Sequence, residues 1–168
     1  MFPFRIGMGY DVHQLGPGLP LRLGGVDIPH NKGAIGHSDA DVLIHALCDA
    51  LLGAAGLPDI GQQFPDISLE FKGIDSRILL GRTFKLIKEN GWRIGNVDCT
   101  IALQKPKIAE FIPAMRNEIS QLIECSPNSV SVKATTTEKL GFVGREEGVA
   151  AWAVAIVYKH PEEIPEKD

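Results

Sequence analysis

Apolar residues run almost without interruption from Val42 to Leu52, which predicts a helix buried on most of its circumference. We expect this helix to begin near Ser38, because the Ser38 hydroxyl can accept from backbone amides and Asp41 follows at the capping-box position. Asp41, His45 and Asp49 recur every fourth residue and therefore form one polar row along the helix. On this helix alone, the row is best interpreted as a structural contact in which a core histidine holds the helix to a neighbouring element.

The remaining periodicity predicts an α+β protein of one domain, residues 1–159, with a polar tail at 160–168. Strand-like patterns occupy Arg5–Leu15, a hairpin over Leu19–Pro29 that turns at Gly24-Gly25, and residues 92–103, 129–134 and 148–159. Amphipathic helices are predicted for residues 76–91 and 113–125. The segment from Gly56 to Asp75 is rich in Gly, Pro and Asp, and it is predicted to be a long loop of a functional or mobile kind.

The predicted strand over residues 148–159 is apolar on both faces, as strands covered on both sides usually are. A domain of 168 residues has few layers with which to cover a strand twice. The second cover could therefore be another copy of the chain.

Composition narrows the class of protein. The chain is 44% hydrophobic and 23% charged, with a formal net charge of -4 and no block of basic residues, which disfavours nucleic acid as a partner. No apolar run reaches the roughly 18 residues of a membrane helix, and the N-terminus lacks a signal-peptide pattern, so we expect a cytoplasmic protein that does not bind membranes. Cys48, Cys99 and Cys125 form no C-x-x-C pair, which argues against a disulfide framework.

A metal site is predicted at the end of the first strand. Asp11 and His13 project to the same face of that strand, where His45 from the helix could complete a set of one carboxylate and two imidazoles. Three such ligands leave the fourth tetrahedral position of zinc open, as in catalytic sites. Asp49, one turn after His45, is predicted to hydrogen-bond to it and fix its tautomer. His37 is a competing ligand.

The segment Lys133–Phe142 places three threonines and Glu138 directly after a predicted strand. As a structural element, it is a turn or the start of a helix capped by Thr135 or Thr136. A helix start with free amides also binds anions, and three hydroxyls exceed what one cap needs. An acidic protein that binds a phosphorylated ligand needs such local devices and bound cations.

The chain resembles the 2-C-methyl-D-erythritol 2,4-cyclodiphosphate synthase family, a family of phosphorus-oxygen lyases in the non-mevalonate isoprenoid pathway. The motifs that carry the resemblance are GYDVH, HSDADVLIHAL, DIGQQFPD, FKGIDS, GNVDCTI, QKPKI and KATTTEKLGFVGREEG, and they extend from Arg5 to Tyr158. The resemblance implies a homotrimer with active sites between subunits, built on a four-stranded mixed sheet with helices on one face plus a small hairpin. It also implies a central channel that could hold an isoprenoid phosphate.

The resemblance implies roles for individual residues. One zinc ion per subunit would be held by Asp11, His13 and His45, and a Mg²⁺ or Mn²⁺ ion by Glu138. The residues implied at substrate phosphates are His37, Ser38, Thr135, Thr136, Lys139 and Arg145. Those implied at the nucleotide are Asp59, Gly61, Leu103 and Lys107, and those implied in a flexible lid are Phe64 and Asp66. Taken as plain sequence, Asp59 and Gly61 are also ordinary turn residues, and Lys139 is ordinary surface charge.

The implied reaction is an intramolecular phosphoryl transfer. The 2-phosphate of 4-diphosphocytidyl-2-C-methyl-D-erythritol 2-phosphate attacks the β-phosphorus of its own diphosphate, and cytidine monophosphate leaves. The nucleophile belongs to the substrate, so no activated Ser, Cys or Lys is needed. Two alternatives remain open: a zinc phosphodiesterase that hydrolyses a nucleotide with metal-bound water, and a trimeric module that binds a nucleotide or isoprenoid phosphate without turnover.

Overall fold

The computed structural model describes residues 4–65, 71 and 73–159 of the chain. The tail predicted at 160–168 and the lid residue Asp66 lie outside these residues. Of the helices that are described, none is both long enough and apolar enough to cross a bilayer.

The described residues form strands and helices in an α+β arrangement, as predicted. The strands are Phe4–Pro17 (β1), Leu21–Leu23 (β2), Val26–Ile28 (β3), Lys32–Ile35 (β4), Arg93–Ala102 (β5), Val130–Thr135 (β6) and Gly148–Tyr158 (β7). The α-helices are Val42–Ala55 (α1), Ile60–Gln63 (α2), Ser76–Glu89 (α3), Ile112–Leu122 (α4) and Gly141–Gly144 (α5). Single 3₁₀ turns cover Ala109–Phe111 and Pro127–Ser129.

Within the described part of the chain, the main sheet has five strands in the order β4-β1-β7-β5-β6, and β2 pairs with β3 in the predicted hairpin. β5 and β6 are parallel, while the other neighbouring pairs are antiparallel, so the sheet is mixed as expected. The prediction of four strands is therefore wrong by one. β1 extends beyond the end of β7, and its residues from Gln14 to Pro17 pair with β4. The sequence of β4, Lys-Gly-Ala-Ile, is too short to show an alternating pattern.

α1 lies against β1 and β7 and forms the centre of the hydrophobic core. α4 packs against β6 and contributes to the same core, and α3 lies against α1. The short α5 lies against β7, and its Val143 forms a hydrophobic cluster with Ala102 and Ala150 that is separate from the main core. The predicted placement of the helices on one face of the sheet therefore holds for α1 and α4 but not for α5.

α1 approaches β1 closely because β1 carries glycine at two positions beneath the helix. A β-carbon at Gly7 would lie 1.9 Å from the carbonyl oxygen of Ala50, and one at Gly9 would lie 1.9 Å from that of Ala46. Any side chain larger than hydrogen would push the helix away from the sheet, since protein interiors leave no space for such overlap. The two glycines therefore set the distance at which His45, on α1, meets Asp11 and His13 of β1.

α1 begins at Val42, later than the sequence predicted, and Asp41 rather than Ser38 is its N-cap. Ala40 has a φ of +57°, so the backbone between Ser38 and Asp41 is not helical. The Asp41 carboxylate accepts hydrogen bonds from two amides of the first helical turn and from two amides of the β2–β3 turn. Burial raises the pKa of Asp41 to about 6, although these backbone hydrogen bonds act to lower it. Asp41 therefore ties the hairpin to α1.

The face of β1 and β7 that is turned away from α1 is apolar and exposed. It carries the side chains of Phe4, Ile6, Met8, Tyr10, Val12, Trp152, Val154 and Tyr158. The rings of Tyr10 and Trp152 pack together with centroids 5.2 Å apart. β7 is thus buried on one face by its own chain. That a second copy of the chain covers the other face remains a prediction.

Candidate active site

Asp11, His13 and His45 converge between β1 and α1, on the face of β1 that α1 covers. Asp11 Oδ2 lies 3.0 Å from His13 Nε2 and 3.1 Å from His45 Nδ1. His13 Nε2 and His45 Nδ1 are 3.1 Å apart. Over residues 4–65, 71 and 73–159, this is the one group of three or more His, Cys, Asp or Glu side chains arranged to hold a metal ion.

The geometry of these three atoms fits a divalent cation. In a tetrahedral zinc site, ligand atoms about 2.0–2.1 Å from the metal lie roughly 3.3 Å from one another. The separations of 3.0 and 3.1 Å come within a few tenths of an ångström of that value. Two imidazole nitrogens and one carboxylate oxygen are donors that zinc and several other divalent metals accept, and they leave a coordination position for a ligand.

The charges of Asp11 and His45 are coupled. Burial acts to raise the pKa of Asp11, but the hydrogen bonds with His13 and His45 outweigh it and hold that pKa well below its usual range. Burial acts to lower the pKa of His45, and the hydrogen bond and charge of Asp11 outweigh that effect, so the net shift is upward. A cation that binds here therefore competes with a proton at His45, and its affinity falls as the pH is lowered.

Nε2 of His45 points to two hydroxyl groups and not to Asp49. It lies 3.0 Å from Ser76 Oγ and 3.1 Å from Ser38 Oγ. Asp49 instead accepts a hydrogen bond from the amide of Ile60 at 2.8 Å, which anchors the start of α2. The predicted contact between Asp49 and His45 is therefore wrong. The spacing of polar residues along α1 shows which side of the helix they share, but it does not show which residue of another element hydrogen-bonds to His45.

A cavity of about 190 Å³ opens beside the three candidate ligands. Its polar side is formed by Asp11, His13, His37, Ser38, His45 and Asp49. Its apolar side is formed by Ile60, Phe64, Phe71, Ile74 and Leu79, with Gly61 between the two. The rings of Phe64 and Phe71 pack edge to face with centroids 5.6 Å apart. Of the residues predicted for nucleotide and lid, Gly61 and Phe64 thus belong to this cavity, and Asp59 caps α2 through the amide of Gln62.

A second cavity, of about 160 Å³, lies at the ends of β5 and β6. It is lined by Leu103, Gln104, Pro106, Lys107, Ile108, Ala109, Ala134, Thr135 and Thr136. Four residues predicted at the nucleotide and the phosphates, Leu103, Lys107, Thr135 and Thr136, therefore meet here. The Thr136 hydroxyl donates to the Glu138 carboxylate at 3.0 Å, which places that carboxylate beside the cavity.

The segment after β6 does not start a helix at its threonines. Thr135 is the last residue of β6, and the next helix, α5, is capped by Leu140 without a side-chain hydrogen bond. The predicted capping role of Thr135 and Thr136 is therefore wrong, and both hydroxyls are left near the second cavity. Lys139 and Arg145 line neither cavity, and Arg145 forms an exposed ion pair with Glu147 at 2.9 Å.

The family model of the YgbB family matches residues 4–158. This chain belongs to the YgbB family. A relative from Shouchella clausii, named 2-C-methyl-D-erythritol 2,4-cyclodiphosphate synthase, is 59% identical over 155 residues, which is 92% of this chain and 98% of that protein. A protein of the same name from Porphyromonas gingivalis strain W83 is 56% identical over 155 residues, which is 92% of this chain and 96% of that protein.

Solved structures of related proteins share the fold of this YgbB-family chain. The bifunctional IspDF from Campylobacter jejuni superimposes with a TM-score of 0.91 at 42% identity, over 95% of this chain and 43% of that one. This chain thus spans less than half of the bifunctional protein. IspF from Plasmodium falciparum, solved as a CDP complex, superimposes with a TM-score of 0.83 at 34% identity, over 95% of this chain and 99% of that one.

Two polar residues of this YgbB-family site, Asp39 and Ser76, were missed by reasoning from the sequence. The Ser76 hydroxyl contacts both His45 and Asp39 and is fully buried. The available signal was the HSDAD and IDS segments, in which Asp39 and Ser76 precede or open helices like ordinary capping residues. Their separation along the chain hid the contact between them.

Proposed function

We propose that this chain is a 2-C-methyl-D-erythritol 2,4-cyclodiphosphate synthase of isoprenoid biosynthesis. It converts 4-diphosphocytidyl-2-C-methyl-D-erythritol 2-phosphate to 2-C-methyl-D-erythritol 2,4-cyclodiphosphate and cytidine monophosphate. The observation that carries the proposal is the convergence of Asp11, His13 and His45 within 3.1 Å in a chain that matches proteins of this name over 92% of its length.

The reaction forms one bond and breaks one. An oxygen of the 2-phosphate attacks the β-phosphorus, and the bond from the β-phosphorus to the oxygen shared with the α-phosphorus breaks, so that cytidine monophosphate leaves with that oxygen. Because the nucleophile is part of the substrate, the protein has no need of an activated side chain. In agreement with this, burial raises the pKa of the Cys48 and Cys99 thiols to about 12, which leaves both unreactive.

The task of the residues around the first cavity is to fold a flexible substrate into the geometry for in-line attack. His37 and Ser38 are proposed to bind the 2-phosphate, since both lie on the polar side of the cavity beside the three metal ligands. The apolar side, with Phe64 and Phe71, would limit the access of water, which otherwise competes as a nucleophile.

Two cations are part of the proposal. Zinc bound to Asp11, His13 and His45 would supply Lewis-acid polarisation of a phosphate oxygen and neutralise its charge. Mg²⁺ or Mn²⁺ is assigned to Glu138 together with phosphate oxygens of the substrate, because both ions favour oxygen ligands. The position of Glu138 beside Thr135 and Thr136 supports this assignment.

The candidate metal ligands and the Thr135 side chain project from opposite faces of the sheet, which supports a site shared between subunits. Asp11 of β1 belongs to a row of paired residues that crosses β7 and β5 and ends at Ala134 of β6. Side chains of one row project to the same face, so Asp11 and Ala134 share the face covered by α1. Thr135 is the next residue and projects to the other face, and three strand spacings separate it from β1, roughly 14 Å. A neighbouring copy can place its own Thr135 cavity opposite the metal ligands without this obstacle. We therefore propose a homotrimer whose subunits meet at the apolar face of β1 and β7.

The trimer can be tested at Val154, in the middle of that apolar face. We expect Val154→Asp to reduce the mass measured by light scattering from three chains to one, because it would bury carboxylates close together at the subunit contact. The exposed Ile78 of α3 provides a matched control, and Ile78→Asp is expected to remain trimeric. A wild-type protein with the mass of a single chain at micromolar concentration would contradict the proposed assembly.

The role of Glu138 can be tested separately from that of zinc. We expect Glu138→Ala to keep its zinc but to need at least about tenfold more Mg²⁺ for half-maximal activity, since it loses a charged oxygen ligand. The exposed Glu110, distant in sequence from the threonine segment, serves as the control through Glu110→Ala. A magnesium dependence of Glu138→Ala that matches wild type would show that this carboxylate does not bind the second cation.

The reaction itself is tested by phosphorus NMR of the protein with substrate, zinc and Mg²⁺ in water enriched in ¹⁸O. A coupled pair of cyclic diphosphate signals with equimolar cytidine monophosphate, and no ¹⁸O in either, is the expected result. Linear phosphates that carry ¹⁸O would overturn the proposal in favour of a phosphodiesterase. Unchanged substrate with bound metal would overturn it in favour of a binding module. A cytoplasmic location remains a prediction.

A further inference from the structure

A chain of three hydrogen-bonded side chains leads from the metal centre into the protein. Nε2 of His45 lies 3.0 Å from Oγ of Ser76, the first residue of α3. The Ser76 hydroxyl donates to Oδ1 of Asp39, and the Ser76 amide donates to Oδ2 of the same carboxylate at 3.0 Å. Asp39 thus holds Ser76 by two hydrogen bonds, and Ser76 in turn contacts His45.

The carboxylate decides the direction of these hydrogen bonds. An ionised carboxylate can only accept, so the single hydrogen of the Ser76 hydroxyl points to Asp39. Oγ of Ser76 can then only accept from Nε2 of His45, which must carry a proton. A histidine that binds a metal ion is neutral and has one ring proton, so Nδ1 of His45 is the nitrogen left with a lone pair for a cation. Nδ1 is the atom that lies 3.1 Å from Asp11 Oδ2 and 3.1 Å from His13 Nε2.

Burial and an opposite charge favour the hydrogen bonds that link Asp39 and Ser76 to His45. Ser76 is fully buried and 13% of the Asp39 side chain is exposed, so water competes little for either group. Nη1 of Arg22 donates to Oδ2 of Asp39 at 3.2 Å and supplies the opposite charge. The same guanidinium also pairs with the carboxylates of Asp27 and Asp75.

Among residues 4–65, 71 and 73–159, Ser38, the other hydroxyl near His45 Nε2, is not hydrogen-bonded to a carboxylate that would fix its proton. Its Oγ accepts from the amide of Ala40 at 3.2 Å and lies 3.1 Å from His45 Nε2. Since a protonated Nε2 also donates, Ser38 acts as an acceptor in both contacts and its own hydroxyl hydrogen is available to a ligand in the cavity. Ser38 therefore cannot select the tautomer of His45, whereas Ser76 can.

We propose that Asp39 and Ser76 are a positioning pair for the metal centre. They hold His45 as the Nε2–H tautomer, oriented so that Nδ1 faces the cation. This inference rests on the metal-binding part of the proposed function. The pair takes the place that the sequence had predicted for Asp49. Groups that hold the second nitrogen of a histidine ligand contribute about 10–100-fold to metal affinity in other proteins. The effect of removing either member should fall in that range.

The test measures zinc affinity and not turnover. The metal-stripped protein is titrated with zinc in competition with a chromophoric chelator of known affinity. We expect Ser76→Ala to bind zinc about 10–100-fold more weakly than wild type. We expect Asp39→Asn to be at least as weak, because an amide can donate to Ser76 Oγ, and the Ser76 hydroxyl can then turn to Nε2 and favour the opposite tautomer.

Two control variants separate the proposed role from loss of packing or charge. Ser120→Ala removes another buried serine hydroxyl, which donates to the Asn117 carbonyl on α4. Asp27→Asn removes a carboxylate partner of Arg22 that does not touch Ser76. Both should bind zinc within about twofold of wild type. Far-UV circular dichroism checks the fold of every variant, and Asp39→Asn carries the test if Ser76→Ala fails to fold.

A spectroscopic signature complements the affinities. With ¹⁵N-labelled histidine in the zinc-loaded wild type, the slowly exchanging imidazole proton of His45 should be on Nε2. A proton on Nδ1, or zinc affinities of Ser76→Ala and Asp39→Asn equal to that of wild type, would overturn the positioning pair. A wild-type protein that shows the expected affinities but forms no cyclic diphosphate would overturn the proposed function and leave the pair intact.

Discussion

We expect His45→Ala to lose stoichiometric zinc and to lower the rate of cyclic diphosphate formation by about 10²–10³-fold or more, the loss typical of removing one electrostatic stabiliser of a transition state. His45 supplies one of the three convergent donor atoms, and Asp11 and His13 alone leave a two-ligand site. Metal analysis after gel filtration measures the occupancy, and phosphorus NMR measures the rate.

The control for this experiment is His30→Ala, because His30 lines neither of the two cavities. It should retain zinc and activity. Light scattering and circular dichroism should show that His45→Ala keeps the assembly and secondary structure of wild type, since α1 remains buried through its apolar residues. Full zinc occupancy in His45→Ala would refute the assignment of this ligand.

The second large effect is expected at Gly9, where β1 passes beneath α1. Gly9→Ala would put a β-carbon 1.9 Å from the carbonyl oxygen of Ala46, and the helix must move to accommodate it. We expect the free energy of unfolding to fall by at least about 3 kcal/mol, the upper part of the usual range for overpacked cores. Urea unfolding followed by circular dichroism measures this change at a fixed protein concentration.

Gly53→Ala is the matched control for that change, because Gly53 lies in α1 itself and a β-carbon there meets no atom of the described residues within 4 Å. Alanine is the better helix former, so this variant should gain about 0.5–1 kcal/mol. An unfolding midpoint of Gly9→Ala equal to that of wild type would mean that the helix and strand can separate without cost. The close contact would then not determine the geometry of the metal ligands.

The convergence of Asp11, His13 and His45 as candidate metal ligands could be predicted from the sequence, because each position rests on local periodicity. Asp11 and His13 share a face of a strand by alternation, and His45 interrupts an otherwise apolar helix. The partner of the second imidazole nitrogen could not be predicted in this way. Helical spacing suggested Asp49, but Ser76 begins another helix, and tertiary packing of α3 against α1 decides that it reaches His45.

The fold shows the same division between local and tertiary information. The hairpin, the long helices and the long strands follow from pattern and turn residues, and the structure has them. The start of α1 was misplaced because Ser38 looks like a cap, whereas the carboxylate of Asp41 can serve the helix and the β2–β3 turn at once. The fifth strand was missed because β4 is defined by its pairing with β1 and not by a pattern of its own.

β1 carries two different surfaces on alternate residues, and this restricts how its sequence can change. Asp11 and His13 point to α1, and Tyr10 and Val12 belong to the opposite apolar face. Inserting or deleting one residue before this segment would exchange the two sets, so that carboxylate and imidazole faced the apolar surface. A change of two residues would keep the faces but displace the ligands by nearly 7 Å along the strand. The length of β1 between Gly7 and His13 is therefore expected to be invariant wherever this metal centre is retained.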